Sequence, residues 1–212
     1  MKLNIIFLKS KKAFTEKEKK EIENIIKNSA THAAKLLKLG KEHIVNFTVY
    51  RFSKKHIWAY TQAEDWIRVA IPQKKFDKNE LKAIVCHEMN HVKRGFCGYA
   101  EKKISFLEAL FAEGLATVFE LEQVPERIPE SSKYTNKFIK KWLPIFKKEN
   151  LTTSRFSYDE WFLGQGKKPK RLGYKIGTYL VRQIRKNYPK LTSEKLIKKN
   201  AKDLLKLSRI RI

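Results

Sequence analysis

Four short segments in the first 76 residues carry the pattern of β-strands. They are rich in β-branched and aromatic residues, and they cover residues 3–8, 44–52, 57–60 and 66–71. Between the first two, apolar residues recur at helical spacing, at Ile22, Ile25, Ile26, Ala33, Leu36 and Leu37. We predict a long helix there, which begins after a Thr15–Glu18 capping box and ends at Gly40.

The rest of the chain has the pattern of a mostly helical region. Apolar positions at helical spacing predict helices at residues 78–94, 106–123, 134–148, 172–187 and 193–207. Asp77 with Glu80, and Ser105 with Glu108, are two further capping-box signatures. The predicted fold class is therefore α+β, with a small N-terminal sheet and a long helix followed by a mostly helical half.

Length and composition fit a single folded domain. The chain has 212 residues, and its 42% hydrophobic content is sufficient for a substantial core. The sequence contains no internal repeat and no low-complexity linker. We predict one domain over residues 1–212, with an α+β lobe at residues 1–76 and a mainly helical lobe at residues 77–212.

The sequence His87-Glu88-Met89-Asn90-His91 lies within the predicted helix 78–94. Residues four apart share one face of a helix, so His87 and His91 can direct two imidazoles at one metal ion. Glu88 is placed beside them, where it can accept a proton from water. The alternative is a buried hydrogen-bond network without a metal, but three polar groups on an apolar face are costly unless they share a partner.

A two-histidine zinc site needs a third protein ligand, and the predicted helix 106–123 offers Glu113. Glu108 is explained as a capping partner, while Glu120 and Glu122 near the helix end are expected to be solvated. Glu113 stands beside Gly114, a small residue that lets another backbone approach. The alternative for Glu113 is an ordinary carboxylate on the helix surface.

Three segments in order resemble a known group of metallopeptidases. The segments are HEMNH, then Glu113-Gly-Leu-Ala116 about twenty residues later, and then Gly173-Tyr-Lys-Ile-Gly177. The first two are similar to the gluzincin metallopeptidases. All three together resemble a bacterial family of predicted zinc-dependent proteases, a domain of unknown function, over about residues 80–182.

This resemblance implies a zincin-like fold, a bound Zn²⁺, a glutamate ligand at Glu113 and hydrolysis of peptide bonds. Tyr174 falls within the third segment, and gluzincins commonly use a tyrosine to stabilise the oxyanion. The alternative for Tyr174 is a half-buried tyrosine with a routine hydrogen bond. Thermolysin-like gluzincins also carry an acid four residues after the third ligand, where this chain has Thr117.

Charge and targeting signals limit the expected partners. The net charge is +25, but the lysines are spread along the chain, so we expect no specific nucleic acid and only weak, non-specific binding of polyanions. The apolar run near the N-terminus is too short for a signal peptide, and no segment is long enough to span a membrane. These features predict a cytoplasmic protein, and they leave its oligomeric state open.

The sequence as a whole predicts a zinc-dependent peptidase that acts on a peptide or protein substrate. His87, His91 and Glu113 are the predicted zinc ligands, with Glu88 as general base and Tyr174 as a second catalytic candidate. Residues 67–71 are the candidate for an edge strand that can pair with an extended peptide. The alternative is an ordinary internal strand, and the sequence does not separate the two. The alternatives are a zinc hydrolase of a non-peptide bond, or a basic nucleic-acid-binding protein with a structural metal.

Overall fold

The computed structural model describes residues 1–10, 12–97, 104–148 and 158–210. The strands are β1 (Lys2–Phe7), β2 (Ile44–Phe52), β3 (Trp58–Ala63) and β4 (Trp66–Pro72), with helix α1 (Glu16–Leu36) between the first two. The later helices are α2 (Lys78–Arg94), α3 (Phe106–Gln123), α4 (Asn136–Lys148), α5 (Leu172–Asn187), α6 (Ser193–Ile197) and α7 (Ala201–Ser208). A 3-10 turn at Glu130–Ser132 precedes α4, and a π-helical turn at Asp159–Leu163 precedes α5. The predicted α+β class is confirmed.

The chain divides into two compact units. The first unit comprises Met1–Ala100 and Glu122–Arg127, and the second comprises Glu101–Leu121 and Ile128–Ile212. The sheet, α1 and α2 belong to the first unit, and most of α3 belongs to the second. The single domain with lobes divided at residue 77 stays a prediction.

The sheet of the first unit has the strand order β1-β2-β4-β3. The strands β1, β2 and β4 are parallel, and α1 provides the crossover from β1 to β2, whereas β3 runs antiparallel to β4. Every second residue of the two central strands is fully buried, namely Val45, Phe47, Val49, Ile67, Val69 and Ile71. These side chains form the core on the face of the sheet that α1 and α2 cover.

The prediction that residues 67–71 form an edge strand is wrong. These residues lie in β4, which is hydrogen-bonded to β2 on one side and to β3 on the other. The edges of the sheet are β1 and β3. β3 precedes β4 in the chain and is joined to it by a two-residue turn, but it is β4 that pairs with β2. The strand order therefore differs from the chain order, and no single segment of the sequence shows this.

Helix α1 begins as predicted and ends earlier than predicted. The Thr15 hydroxyl accepts from the Glu18 backbone N–H, and the Glu18 carboxylate accepts from the Thr15 backbone N–H, which completes the capping box. At the other end, Leu37 is the C-cap and Lys38 takes the left-handed φ of 51°. Gly40 lies beyond this turn, so Lys38 and not Gly40 takes the left-handed conformation that commonly ends a helix.

Glu18 also forms a partly buried ion pair that joins α1 to β2. The Arg51 guanidinium is almost fully buried and donates to the Glu18 carboxylate at 2.6 Å and to the Pro72 carbonyl at 2.8 Å. It lies over the Phe14 ring, 4.0 Å from the ring centroid. The hydrogen bond from Arg51 is the main reason that the pKa of Glu18 is held below its usual value of 4.5.

We expect Glu18→Gln to lower the free energy of unfolding at pH 7 by about 1 kcal/mol, a value reduced for the partial exposure of Glu18. Glutamine preserves the capping box but removes the charge. Because the folded pKa is depressed, the stabilisation is present above pH 4.5 and is lost as the pH falls through the folded pKa. Urea titrations at pH 7 and at pH 3 measure the difference, which should be smaller at pH 3.

Glu23→Gln is the matched control for this prediction. Glu23 lies on the same helix and pairs with Lys27 at 2.5 Å across the exposed surface. Its replacement should change stability by less than about 0.5 kcal/mol at either pH, because exposed pairs contribute little. Equal effects of the two substitutions at pH 7 would show that the Arg51 pair adds nothing to stability.

The second unit is built around α3. Nearly every residue from Phe106 to Glu120 is buried, so this helix has no solvent-facing side over most of its length. The expectation that Glu120 is solvated is therefore wrong, since only 4% of it is exposed, whereas Glu122 is exposed as predicted.

The predicted helix 193–207 is two helices, α6 and α7. The first ends at Ile197 with Lys198 as its C-cap, and Asn200 caps the second by accepting from the Asp203 backbone N–H at 2.9 Å. Sequence periodicity continued across this break because both helices present leucine and isoleucine to the core. No helix in the described part of the chain is both long and apolar enough to cross a membrane.

Candidate metal centre

Helix α2 has the ends that the sequence predicts. The Asp77 carboxylate accepts from the backbone N–H groups of Asn79 and Glu80, and Gly95 closes the helix in the left-handed conformation, with φ of 68°. The capping box is only half formed, because the buried Glu80 carboxylate accepts from the Ile57 N–H and from Arg127 instead of returning to Asp77.

The helix brings the two predicted histidine ligands together. The ring centroids of His87 and His91 are 4.8 Å apart and their planes are inclined by 77°. His91 is buried, and its ring lies 4.9 Å from that of Phe96, which follows the helix end. His87 is half-buried. This is the geometry that two imidazoles one helical turn apart require in order to face one ion.

Glu88 is buried beside the two histidines and is held by a residue of β3. The Thr61 hydroxyl donates to the Glu88 carboxylate at 2.8 Å, and Thr61 is itself buried. This bond fixes one carboxylate oxygen at the edge of the sheet next to α2. Thr61 lies just beyond the predicted strand 57–60, so nothing in the sequence marked it as a partner of Glu88.

Glu113 is buried in the middle of α3, with 4% of its surface exposed. The alternative of an ordinary surface carboxylate is therefore wrong. The Tyr158 hydroxyl donates to the Glu113 carboxylate at 3.2 Å, and the Tyr158 ring is stacked on Phe162 at 4.1 Å. A carboxylate this deeply buried needs compensation by hydrogen bonds or by a cation. Tyr158 carries no motif, so nothing in the sequence marked it as a partner of Glu113.

Two glycines allow α5 to lie directly against α3 next to Glu113. A side chain at Gly114 would meet the backbone of Gly177, and one at Gly177 would meet the carbonyl oxygen of Leu110. Glycine is needed at both positions because two helix backbones are in contact here. The sequence-based expectation that these glycines permit close approach is confirmed.

The resemblance makes Tyr174 a candidate donor to the oxyanion and places Thr117 where thermolysin-like gluzincins carry an acid. Both roles stay predictions. Tyr174 is half-buried in the first turn of α5, and its ring lies edge-on to Phe162 at 5.4 Å. Thr117 is fully buried in α3, and its hydroxyl has no hydrogen-bond partner among the described residues. Among the described residues, the Thr117 hydroxyl therefore forms no hydrogen bond to a histidine.

The donor set fits a catalytic zinc ion. Among the described residues, the side chains of His, Cys, Asp and Glu that could together hold a metal ion are those of His87, His91 and Glu113, with one ligand atom from each. Two imidazole nitrogens and one carboxylate oxygen suit zinc and leave a fourth position for water. The remaining histidines, His32, His43 and His56, are exposed.

Comparison with known proteins identifies the family of the chain. No curated protein and no solved structure matches the chain. Residues 22–206 match the family described as "Predicted Zn-dependent protease (DUF2268)", and this match covers both units. Because the match extends over most of the 212 residues, the chain belongs to this family of predicted zinc-dependent proteases.

Proposed function

We propose that the protein is a zinc-dependent peptidase in which His87, His91 and Glu113 hold one Zn²⁺. The family description supports zinc dependence, and the three side chains are a donor set of the kind that catalytic zinc sites use. Burial of His91 and Glu113 supports the proposal further, because a buried imidazole and a buried carboxylate are stabilised when both ligate one cation.

The burial of Glu88 beside the proposed ligands is the observation that carries the catalytic part of the proposal. It is a buried carboxylate between two potential ligands, and its described partner is the Thr61 hydroxyl, which occupies one oxygen. A site that uses metal only for structure has four protein ligands and no need of such a carboxylate. We assign Glu88 the role of general base, which takes a proton from the attacking water and returns it to the leaving amine.

The other residues would bind and orient the substrate. When bound, zinc would polarise the scissile carbonyl and lower the pKa of a water molecule towards neutrality. The edge strand β3 carries Thr61, so an extended peptide paired with β3 would lie next to Glu88. Tyr174 is our candidate for a hydroxyl that donates to the oxyanion, as the sequence analysis suggested.

Hydrolysis of a non-peptide bond remains the second candidate within the same chemistry. The zinc ligands and Glu88 would serve an ester or another amide equally well. The edge strand favours the peptide, because main-chain hydrogen bonds to β3 need an extended backbone as their partner. Parallel assays with peptide and ester substrates distinguish the two.

We expect one tightly bound Zn²⁺ per chain, and we expect Glu113→Ala to lose most of it. Removal of one of three protein ligands should weaken zinc affinity by well over about 100-fold, since loss of an outer-shell partner alone costs about 10–100-fold. Elemental analysis after zinc reconstitution and dialysis measures the stoichiometry of both proteins.

Glu122→Ala is the matched control, because Glu122 is an exposed glutamate near the end of the same helix. It should retain the full complement of zinc. If Glu113→Ala binds zinc as tightly as Glu122→Ala does, the third ligand is misassigned. If the unaltered protein binds no transition metal at all, the proposed function fails.

A further inference from the structure

One face of the sheet in the first unit is rich in aromatic side chains, two of which are exposed and three half-buried. The strands alternate, so the residues opposite the helix-covered core point outwards. Five aromatic residues and one arginine lie on this face, namely Tyr50, Phe52, Trp58, Tyr60, Trp66 and Arg68. We call these six residues the aromatic face. Trp58 is 49% exposed and Trp66 is 40% exposed, which is unusual for residues of this size.

The rings of the aromatic face form a connected series. Trp58 is stacked on Phe52 at 6.4 Å with an interplanar angle of 24°, and it lies 4.8 Å from Tyr60. The Arg68 guanidinium then lies 5.8 Å from the Tyr60 ring and 5.2 Å from the Tyr50 ring. The aromatic rings therefore lie next to one another across β2, β3 and β4.

The charge of the aromatic face is positive. Arg68 donates to the Tyr60 hydroxyl at 3.0 Å, and no carboxylate partner of Arg68 is found among the described residues. The outward positions of the four strands include Lys2 and Arg68 but no acidic residue. Glu64 and Asp65 lie in the turn between β3 and β4, where the Asp65 carboxylate accepts from the Asn46 amide at 3.5 Å. A polyanion is the complementary partner, and the net charge of +25 extends the attraction over a longer range.

Polar groups interleaved with the rings favour a nucleic acid over a lipid surface. The Asn4 amide donates to the Asn46 amide at 2.9 Å, and the Trp66 indole donates to the Thr48 hydroxyl at 2.7 Å, all on the outward side. The half-buried amides of Asn4 and Asn46 are costly to bury in a membrane interface but can bond to base edges and sugars. Aromatic rings beside cationic groups are the usual platform for unpaired bases.

We propose that the aromatic face binds single-stranded nucleic acid, with bases stacked on Trp58 and Tyr60 and the phosphates attracted by Arg68. Stacking tolerates any base, so the binding is independent of sequence, as the scattered lysines already suggested. The new element is a preference for unpaired strands, because bases inside a duplex cannot reach the rings. This proposal does not depend on the metal centre.

Fluorescence anisotropy with a labelled 12-nucleotide strand of mixed sequence, as RNA and as DNA, and with the corresponding duplex tests the proposal. We expect both single strands to bind at least about tenfold more tightly than the duplex at physiological salt. Trp58→Ala leaves the net charge unchanged and should weaken binding of single strands by about tenfold, the scale of one lost stacking contact.

Trp142→Ala is the matched control, because Trp142 is a half-buried tryptophan on α4, which belongs to the second unit. It should leave binding of single strands within about twofold, and circular dichroism of both variants establishes that they are folded. Trp58→Phe should retain most of the affinity, since a ring remains. This second variant excludes general damage to the sheet as the cause of the Trp58→Ala effect.

Two outcomes would overturn the proposal. Equal binding of single strand, duplex and heparin, with no effect of Trp58→Ala, would reduce the interaction to attraction between the net charge and any polyanion. Binding of anionic vesicles, or dimerisation of the chain, that is lost in Trp58→Ala while oligonucleotides do not bind would assign the aromatic face to a lipid or protein partner.

Discussion

Glu88→Gln is expected to abolish peptide hydrolysis while the protein retains its zinc. The amide cannot accept a proton from water, so the rate should fall by about 10²–10⁴-fold, the usual contribution of a general base. The side chain keeps its size and can still accept from the Thr61 hydroxyl, so the fold and the histidines should be unaffected. Mass spectrometry of a diverse peptide mixture measures cleavage, and elemental analysis measures zinc.

Thr61→Val separates the role of Glu88 from that of its partner. The substitution removes the hydroxyl that fixes one oxygen of Glu88 but retains the carboxylate and the shape of the side chain. Its activity should lie between that of the unaltered protein and that of Glu88→Gln. If Glu88→Gln cleaves the mixture as fast as the unaltered protein does, Glu88 is not the base and the mechanism is wrong.

Gly177→Ala is expected to be among the most destabilising single substitutions in the second unit. The added methyl group would meet the carbonyl oxygen of Leu110 in α3, and a backbone atom cannot turn aside as a side chain can. We expect a loss of about 3 kcal/mol, which lowers Tm by about 6–12 °C in a chain of this size. Zinc affinity should fall as well, because forcing α5 away from α3 would disturb the helix that carries Glu113.

Gly40→Ala is the matched control for Gly177→Ala. A methyl group at Gly40 would meet the carboxylate of Glu42, which is the flexible end of a largely exposed side chain. Its Tm should therefore change little. Thermal unfolding of both variants, followed by circular dichroism, gives the comparison. A Gly177→Ala protein as stable as Gly40→Ala would mean that α3 and α5 do not touch at these glycines.

The sequence predicted the local structure around the metal centre well, because local signals determine it. Asp77 and Gly95 mark the two ends of α2, and the spacing of His87 and His91 places both rings on one side. The two ends of this helix are determined by residues at those ends, so they can be predicted from the local sequence alone.

The partners of these residues could not be predicted, since they depend on tertiary packing. Thr61 reaches Glu88 because β3 is an edge strand against α2, and the strand order is not written in any one segment. Tyr158 reaches Glu113 from 45 residues further along the chain. The aromatic face was hidden for the same reason, because its residues come from three strands whose order the sequence did not reveal.

A crystal structure of the zinc-loaded protein, with anomalous data collected at the zinc absorption edge, tests the proposed metal centre most directly. We expect one strong anomalous peak, with His87, His91 and Glu113 as ligands at about 2.0–2.2 Å and with Glu88 outside the ligand set. A peak bound by four protein side chains would indicate a structural metal. A peak away from His87 and His91, or no peak after zinc reconstitution, would contradict the assignment of the protein as a zinc-dependent peptidase.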